Sequence, residues 1–293
     1  MPLDQVDVDE IEKPKHRTDE MSFFDHIDEL RSHLIRAVIG IAVGGIVMFM
    51  SKDFIFDKII FAPRHADFPT FRALCTLSRW LHTDALCFTP QNFQIITREL
   101  GEQFSVHLQV SIMLGLILAF PYVFWEIWRF VKPGLHPKEQ AVTRNVVLVC
   151  SVLFFLGILF GYYIVAPFCI TFLVGYEIIG AEAAPTLASY VNYMTMFTLP
   201  LGIVFELPIL IYFLTKLGLV SSAFLREYRR HAIVIILIVA GVITPPDVVS
   251  QSLVTLPLLL LFEISILVAR NVEKKARLAE AAETATYLPV KSE

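Results

Sequence analysis

Long apolar runs separated by short basic stretches limit what this chain can fold into. Residues 34–50, 104–130, 146–166, 194–217, 231–243 and 253–269 carry few or no charges. Runs of that kind are how helices read when they lie in lipid. Only 18% of the chain is charged and 56% is hydrophobic, whereas a soluble domain carries roughly a quarter charged residues. The expectation is an all-α polytopic membrane protein with six transmembrane helices. Helices five and six are the short ones: 231–243 rises only about 20 Å, against roughly 30 Å of hydrocarbon, and 253–269 is also brief. Pro121 is expected to bend the second span, and Pro167 to close the third, although 168–175 can prolong it.

The basic residues give the orientation. All but six of the 24 lie before or at the start of span one, between spans two and three, between four and five, or after span six. The stretches 168–193 and 244–252 contain none. The remaining six fall in 51–103, a loop long enough for the positive-inside rule to lose force. Both termini are therefore expected in the cytoplasm. Residues 1–21 read as a disordered cytoplasmic tail, 22–270 as the transmembrane domain, 51–103 as its long periplasmic loop, and 271–293 as a second cytoplasmic tail. The hydrophilic start has no apolar core or small-residue cleavage site, so no removable signal peptide is expected.

Ser22 to Met50 deserves a closer reading. Phe24, Ile27, Leu30 and Leu34 recur at helical spacing, with Asp25, Asp28, Glu29 and Ser32 opposite. Ser22 and Asp25 resemble a capping box. An acidic helix face thus stands where the chain enters the membrane. A second acid, Glu139, lies in VKPGLHPKEQ, a short loop restricted by Pro133, Gly134 and Pro137. Two carboxylates on one membrane face would receive guanidinium groups through the bidentate fork that lysine lacks. The plainer alternative is that both simply face water.

Glu206, in LPLGIVFELPIL, is expected near mid-membrane, where an ionised carboxylate costs at least about 3 kcal/mol. It needs a proton, a wet cavity or a polar partner, and Pro200 and Pro208 free backbone carbonyls beside it. Thr244-Pro245-Pro246-Asp247 is an outer turn, with Asp247 or Ser250 capping span six and Thr244 and Gln251 as polar positions open to another helix. Glu263 is expected at the interface, and Tyr122, Trp125 and Trp128 in an aromatic belt. Residues 55–61 read as an amphipathic surface helix ending at Pro63. Cys75 and Cys87 share the long loop, as either a disulfide or two free thiols. No phosphate-binding glycine loop, zinc motif or CxxC is present. No metal or cofactor is expected, no catalysis, and the near-neutral charge balance gives no case for nucleic acid.

HIDELRSHLIR, FPYVFWEIWRFVKPGLHPKE, FGYYIVAPF, FELPIL and ITPPDVVSQ, in that order, resemble the TatC family, the multispan subunit of the twin-arginine protein translocase. The resemblance covers roughly Phe23 to Arg270. It implies a receptor in the bacterial inner membrane for twin-arginine signal peptides on folded cargo. The implied assembly contains TatA- and TatB-type single-span subunits and further copies of the chain, and is driven by the proton gradient. By position it implies Glu29 and Glu139 as ligands of the two arginines, with Arg31 and Phe130 on the same surface. Glu206 matches the intramembrane acid, Pro63 and Asp247 the sensitive outer-face positions, and Thr244 and Gln251 the contact for a partner helix. Three features depart from the family pattern: Gln140-Ala141 after Glu139, where relatives carry basic residues; Gln109, in a place often held by lysine; and a longer first loop. A proton-coupled solute carrier using Glu206 is the rival reading, but the halves show no internal repeat. A membrane-embedded protease would need a nucleophile and base at depth, and no GxSxG motif exists.

Overall fold

The computed structural model describes residues 23–82, 87, 93–131, 143–176, 184–245 and 247–287. Among these, every regular element is a helix, and Ile96 and Thr186 make an isolated bridge between two loops. The order is α1 (Phe23–Met50), α2 (Lys52–Phe54) widening into a π turn (Ile55–Ile60) and a 3₁₀ turn (Ala62–Arg64), α3 (Pro69–Leu81) and α4 (Glu102–Val131). Then follow α5 (Thr143–Phe160), a π turn (Gly161–Val165), α6 (Ala166–Gly175), α7 (Leu187–Val204) and α8 (Leu207–Lys216). α9 (Ser222–Glu227), α10 (Arg229–Ile243) and α11 (Val248–Tyr287) complete the described chain.

Among the described residues, five stretches are long and apolar enough to cross a bilayer: Asp28–Met50, Glu102–Val131, Val146–Gly175, Leu187–Lys216 and Val248–Leu278. The chain is a multi-pass membrane protein. α10 is apolar too, but its 15 residues rise only about 22 Å. Large apolar side chains such as Leu34, Val38, Ile46, Leu156 and Ile235 point outward, as a lipid-facing surface requires. The packed centre lies where α5 to α8 meet α11, around Val165, Phe197, Leu201, Val254 and Leu258.

α1 and α4 run antiparallel in close contact along their lengths. A Cβ added at Gly115 would stand 2.4 Å from the backbone nitrogen of Gly45, so the two backbones touch there. Tyr122 lies over Gly40, and Phe49 stacks on His107 at 4.1 Å between ring centroids. The N-terminal end of α1 therefore meets the C-terminal end of α4.

Three expectations need correction. Pro167 does not close the third span. The helix runs on through the π turn at Gly161–Val165 into α6; Pro167 supplies no N–H to the Tyr163 carbonyl four residues back, and the Thr70 hydroxyl donates to that carbonyl instead. α4 continues through Pro121, and the fourth span is interrupted at Phe205–Glu206, just before Pro208 opens α8. The sixth span is not short: α11 has 40 residues, because Glu, Lys, Ala and Leu beyond Ala269 are strong helix formers. Trp128 is no belt residue; it is buried against Phe213 at 4.5 Å, while Tyr122 and Trp125 are exposed. The first loop also holds a helix that periodicity did not suggest, α3, begun by Pro69 and ended by a left-handed His82 (φ 54°).

Candidate functional site

Glu29 lies near the start of α1 and is half-buried. Its Oε2 is buried and has no hydrogen-bond partner among the described residues. One helical turn on, His33 shares that face and is buried. Its Nδ1 lies 2.5 Å from Oε2 of Glu126 on α4, which is only 2% exposed. The imidazole also faces the ring of Phe130, 6.4 Å between centroids. Arg129 covers the ring of Trp125 at 5.8 Å, and Arg31 is exposed. One end of the α1–α4 pair thus brings together Glu29, Phe130 and the His33–Glu126 couple. The structure adds His33 and Glu126 to the residues singled out from sequence. Glu126 carried one signal, an acid inside an apolar run, but the partner 93 positions away had none.

Glu139 lies outside the described residues. It belongs to the segment joining Val131 at the end of α4 to Thr143 at the start of α5, beyond the same end of α4 that meets Glu29.

Glu206 stands apart from this end. It occupies the break between α7 and α8 as the residue before α8. Both carboxylate oxygens are buried and have no hydrogen-bond partner of good geometry among the described residues. The Cys150 thiol and the Phe154 backbone on α5 lie close by. With the helical stretch spanning Leu187–Lys216, Glu206 lies about 15 Å of helical rise from Lys216 and about 28 Å from Leu187. It lies within this helical stretch.

The opposite end of the bundle is tied by backbone contacts. Pro63 is buried in the 3₁₀ turn after α2. Tyr162 and Tyr190 donate their hydroxyls to the carbonyls of Ile59 (2.7 Å) and Ile60 (2.9 Å). The Thr70 hydroxyl donates to the carbonyl of Tyr163. Cys75 and Cys87 form a disulfide, Cα atoms 4.3 Å apart, closing the chain beyond α3. Glu102, not singled out from sequence, accepts from the backbone N–H groups of Arg98 (2.7 Å) and Ala188 (2.8 Å). It thereby joins the start of α4 to the start of α7.

Asp247 caps α11, its Oδ1 accepting from Val249 N–H at 2.8 Å and Ser250 N–H at 2.9 Å. Thr244 donates to the Ala240 carbonyl at 2.9 Å, and the Gln251 amide donates to that of Leu237 at 3.3 Å. Both therefore bond within the α10–α11 hairpin. At the basic end, Glu263 pairs with Arg229 at 2.9 Å. Glu273 accepts from both the backbone N–H and the hydroxyl of Ser222, each at 2.6 Å, which fastens α9 to α11. No group of three or more metal-ligating side chains occurs among the described residues.

This arrangement has relatives. Residues 25–257 match the family described as Sec-independent protein translocase protein (TatC). The chain is 39% identical over 267 residues to the Sec-independent protein translocase protein TatC of Blattabacterium sp. subsp. Periplaneta americana, covering 89% of this chain and 99% of that one. It is 31% identical over 268 residues to TatCy of Bacillus subtilis, covering 91% and 96%. Among solved structures, a twin-arginine translocase receptor TatC crystallised in DDM superposes with a TM-score of 0.66 at 30% identity, covering 83% of this chain and 99% of that chain. With the family match, the near full-length relatives and the shared helical architecture in agreement, the chain belongs to the TatC family of Sec-independent protein translocase proteins.

Proposed function

We propose that this chain is the receptor and core component of a twin-arginine translocase, binding the signal peptides of folded proteins at its cytoplasmic face. The observation that carries the reading is the Glu29 carboxylate. A buried acceptor oxygen with no partner is costly to leave unmet, and a guanidinium group docking beside it would satisfy charge and hydrogen bonding together. Glu139 is the second acid of the site. It follows Val131 by eight residues, which no chain stretches beyond about 29 Å, so it is tethered near the same end of the α1–α4 pair. Phe130 and Arg31 flank the docking surface. The His33–Glu126 couple holds α1 and α4 in the register that presents Glu29.

The basic residues at this end, among them Arg129, Arg226, Arg229 and Arg270, support its assignment to the cytoplasm. That orientation gives six spans across the bacterial inner membrane, with α10 as the short fifth and both termini in the cytoplasm. The Cys75–Cys87 disulfide then lies on the oxidising periplasmic side. TatA- and TatB-type single-span subunits and further copies of this chain complete the assembly. The proton gradient drives export. Thr244 and Gln251 border the helix that receives a partner, and Glu206 provides a polar contact inside the membrane. Pro63 and Asp247 hold the outer ends of the helices.

Crosslinking to a twin-arginine peptide tests the site. Glu29→Ala or Glu139→Ala should weaken it about 10- to 100-fold, the range for losing a charged hydrogen bond, with membrane insertion unchanged. Undiminished crosslinking in both variants would remove the assignment.

A further inference from the structure

At the end of the α1–α4 pair remote from Glu29, a cavity of about 610 Å³ opens beside the start of α4. Lys52 and Arg64 line it, with Gln103 and His107, over a floor of Phe56 and Phe61. No carboxylate is among its lining residues. His107 is 8% exposed, and its Nε2 has no hydrogen-bond partner among the described residues. The imidazole is held in place by stacking on Phe49 at 4.1 Å and by the edge of Phe56 at 5.8 Å. Two cations and an unmet imidazole nitrogen facing no acid make a site for an anion with oxygen acceptors.

Phe104 lines this cavity and also a second one of about 450 Å³, lying between α1 and α4. That groove extends from Val38 to Phe49 and is walled by apolar residues such as Ile46, Leu108 and Ile112. The Ser111 hydroxyl at its edge is already bonded to the His107 carbonyl at 2.7 Å. From Val38 to Phe49 the helix rises about 16 Å, half of the roughly 30 Å hydrocarbon core. The groove therefore has the depth of one leaflet, and the cationic cavity sits at its headgroup end.

We propose that these two cavities together hold one anionic glycerophospholipid, its phosphate beside Lys52 and Arg64 and one acyl chain in the groove between α1 and α4. A zwitterionic lipid fits less well, because the lining offers no acid to its ammonium. The site is independent of the signal-peptide reading and requires only that α1 and α4 stand in a membrane.

Native mass spectrometry of the full chain in a mild detergent tests this, with phosphatidylglycerol, phosphatidylcholine and glycerol phosphate as probes. One phosphatidylglycerol should be retained at least several-fold more tightly than phosphatidylcholine. Lys52→Gln combined with Arg64→Gln should lower its affinity roughly 10- to 30-fold, about 1 kcal/mol for each cation near a membrane surface. Ala42→Trp, which fills the groove without changing charge, should lower it as well. Arg72→Gln with Arg79→Gln on α3 should not. Equal retention of the two lipids, or unchanged phosphatidylglycerol binding in both the charge and groove variants, would overturn the proposal. Glycerol phosphate binding as tightly as phosphatidylglycerol would replace it with a site for a free phosphate ester. Circular dichroism of each variant separates loss of binding from loss of fold.

Discussion

The His33–Glu126 couple is the residue-scale feature on which the candidate site depends most. Both side chains are buried, and they sit 2.5 Å apart. Removing one partner leaves the other buried without its complement, which costs about 3–5 kcal/mol, while replacing both with apolar groups is far milder. His33→Ala should therefore lower the thermal midpoint in detergent sharply, and His33→Leu combined with Glu126→Leu should recover most of the loss. Additive losses in the double variant would mean that the two residues act separately. Glu206 behaves oppositely at this scale. Neither of its oxygens has a hydrogen-bond partner among the described residues, so Glu206→Gln should insert and melt like the parent while impairing export or complex assembly. Normal export by that variant would leave Glu206 no function beyond filling its site. The unusual acid inside an apolar run was legible in sequence for Glu206, but the His33–Glu126 couple was not. Its meaning comes from a partner 93 residues away, and only the register of α1 against α4 brings the two together.

At the scale of the element, the α1–α4 contact depends on glycine at the point of closest approach. Gly115 has backbone, not a flexible side chain, within 2.4 Å of where its Cβ would stand. Gly115→Leu must drive the helices apart, so it should lower the melting temperature and also weaken signal-peptide crosslinking at the distant Glu29. Crosslinking that survives intact would show that Glu29 needs no support from α4. The disulfide joins Cys75 within α3 to Cys87 and closes a short loop, its cysteines 12 positions apart. Cys75→Ser with Cys87→Ser should cost at most about 3 kcal/mol on the chain-entropy account, read as earlier proteolysis around α3 with the membrane-embedded helices unaffected. Equal loosening of the whole molecule would contradict so local a role. Apolar periodicity located these elements well in the spans and poorly at their interruptions. Pro121, Pro167 and Pro208 look alike in sequence. One is absorbed within α4, one falls in the first turn after a π turn, and one follows a true break. The difference lies in whether neighbouring turns can rewind to satisfy the freed carbonyl.

Over the whole molecule, the two ends of the bundle have different chemistry. One gathers Glu29, Phe130, the His33–Glu126 couple and the Arg229–Glu263 pair. The other is locked by tyrosine-to-backbone bonds, the Glu102 clamp and the disulfide. On the proposed reading, a docking end and a braced end suit a protein that accepts a ligand from one side without opening on the other. The all-helical, multi-pass architecture was readable from the apolar runs. The braced end was legible only in its cysteine pair, because its other bonds run to main-chain carbonyls and N–H groups that no side-chain pattern announces. The most direct measurement of the central claim is the dissociation constant of an Arg-Arg signal peptide against its Lys-Lys counterpart, for the parent protein and for Glu29→Ala with Glu139→Ala. Tight binding of the Arg-Arg peptide alone, lost in the double variant, is the predicted result. Equal affinity for both peptides, or affinity untouched by the double substitution, would contradict it.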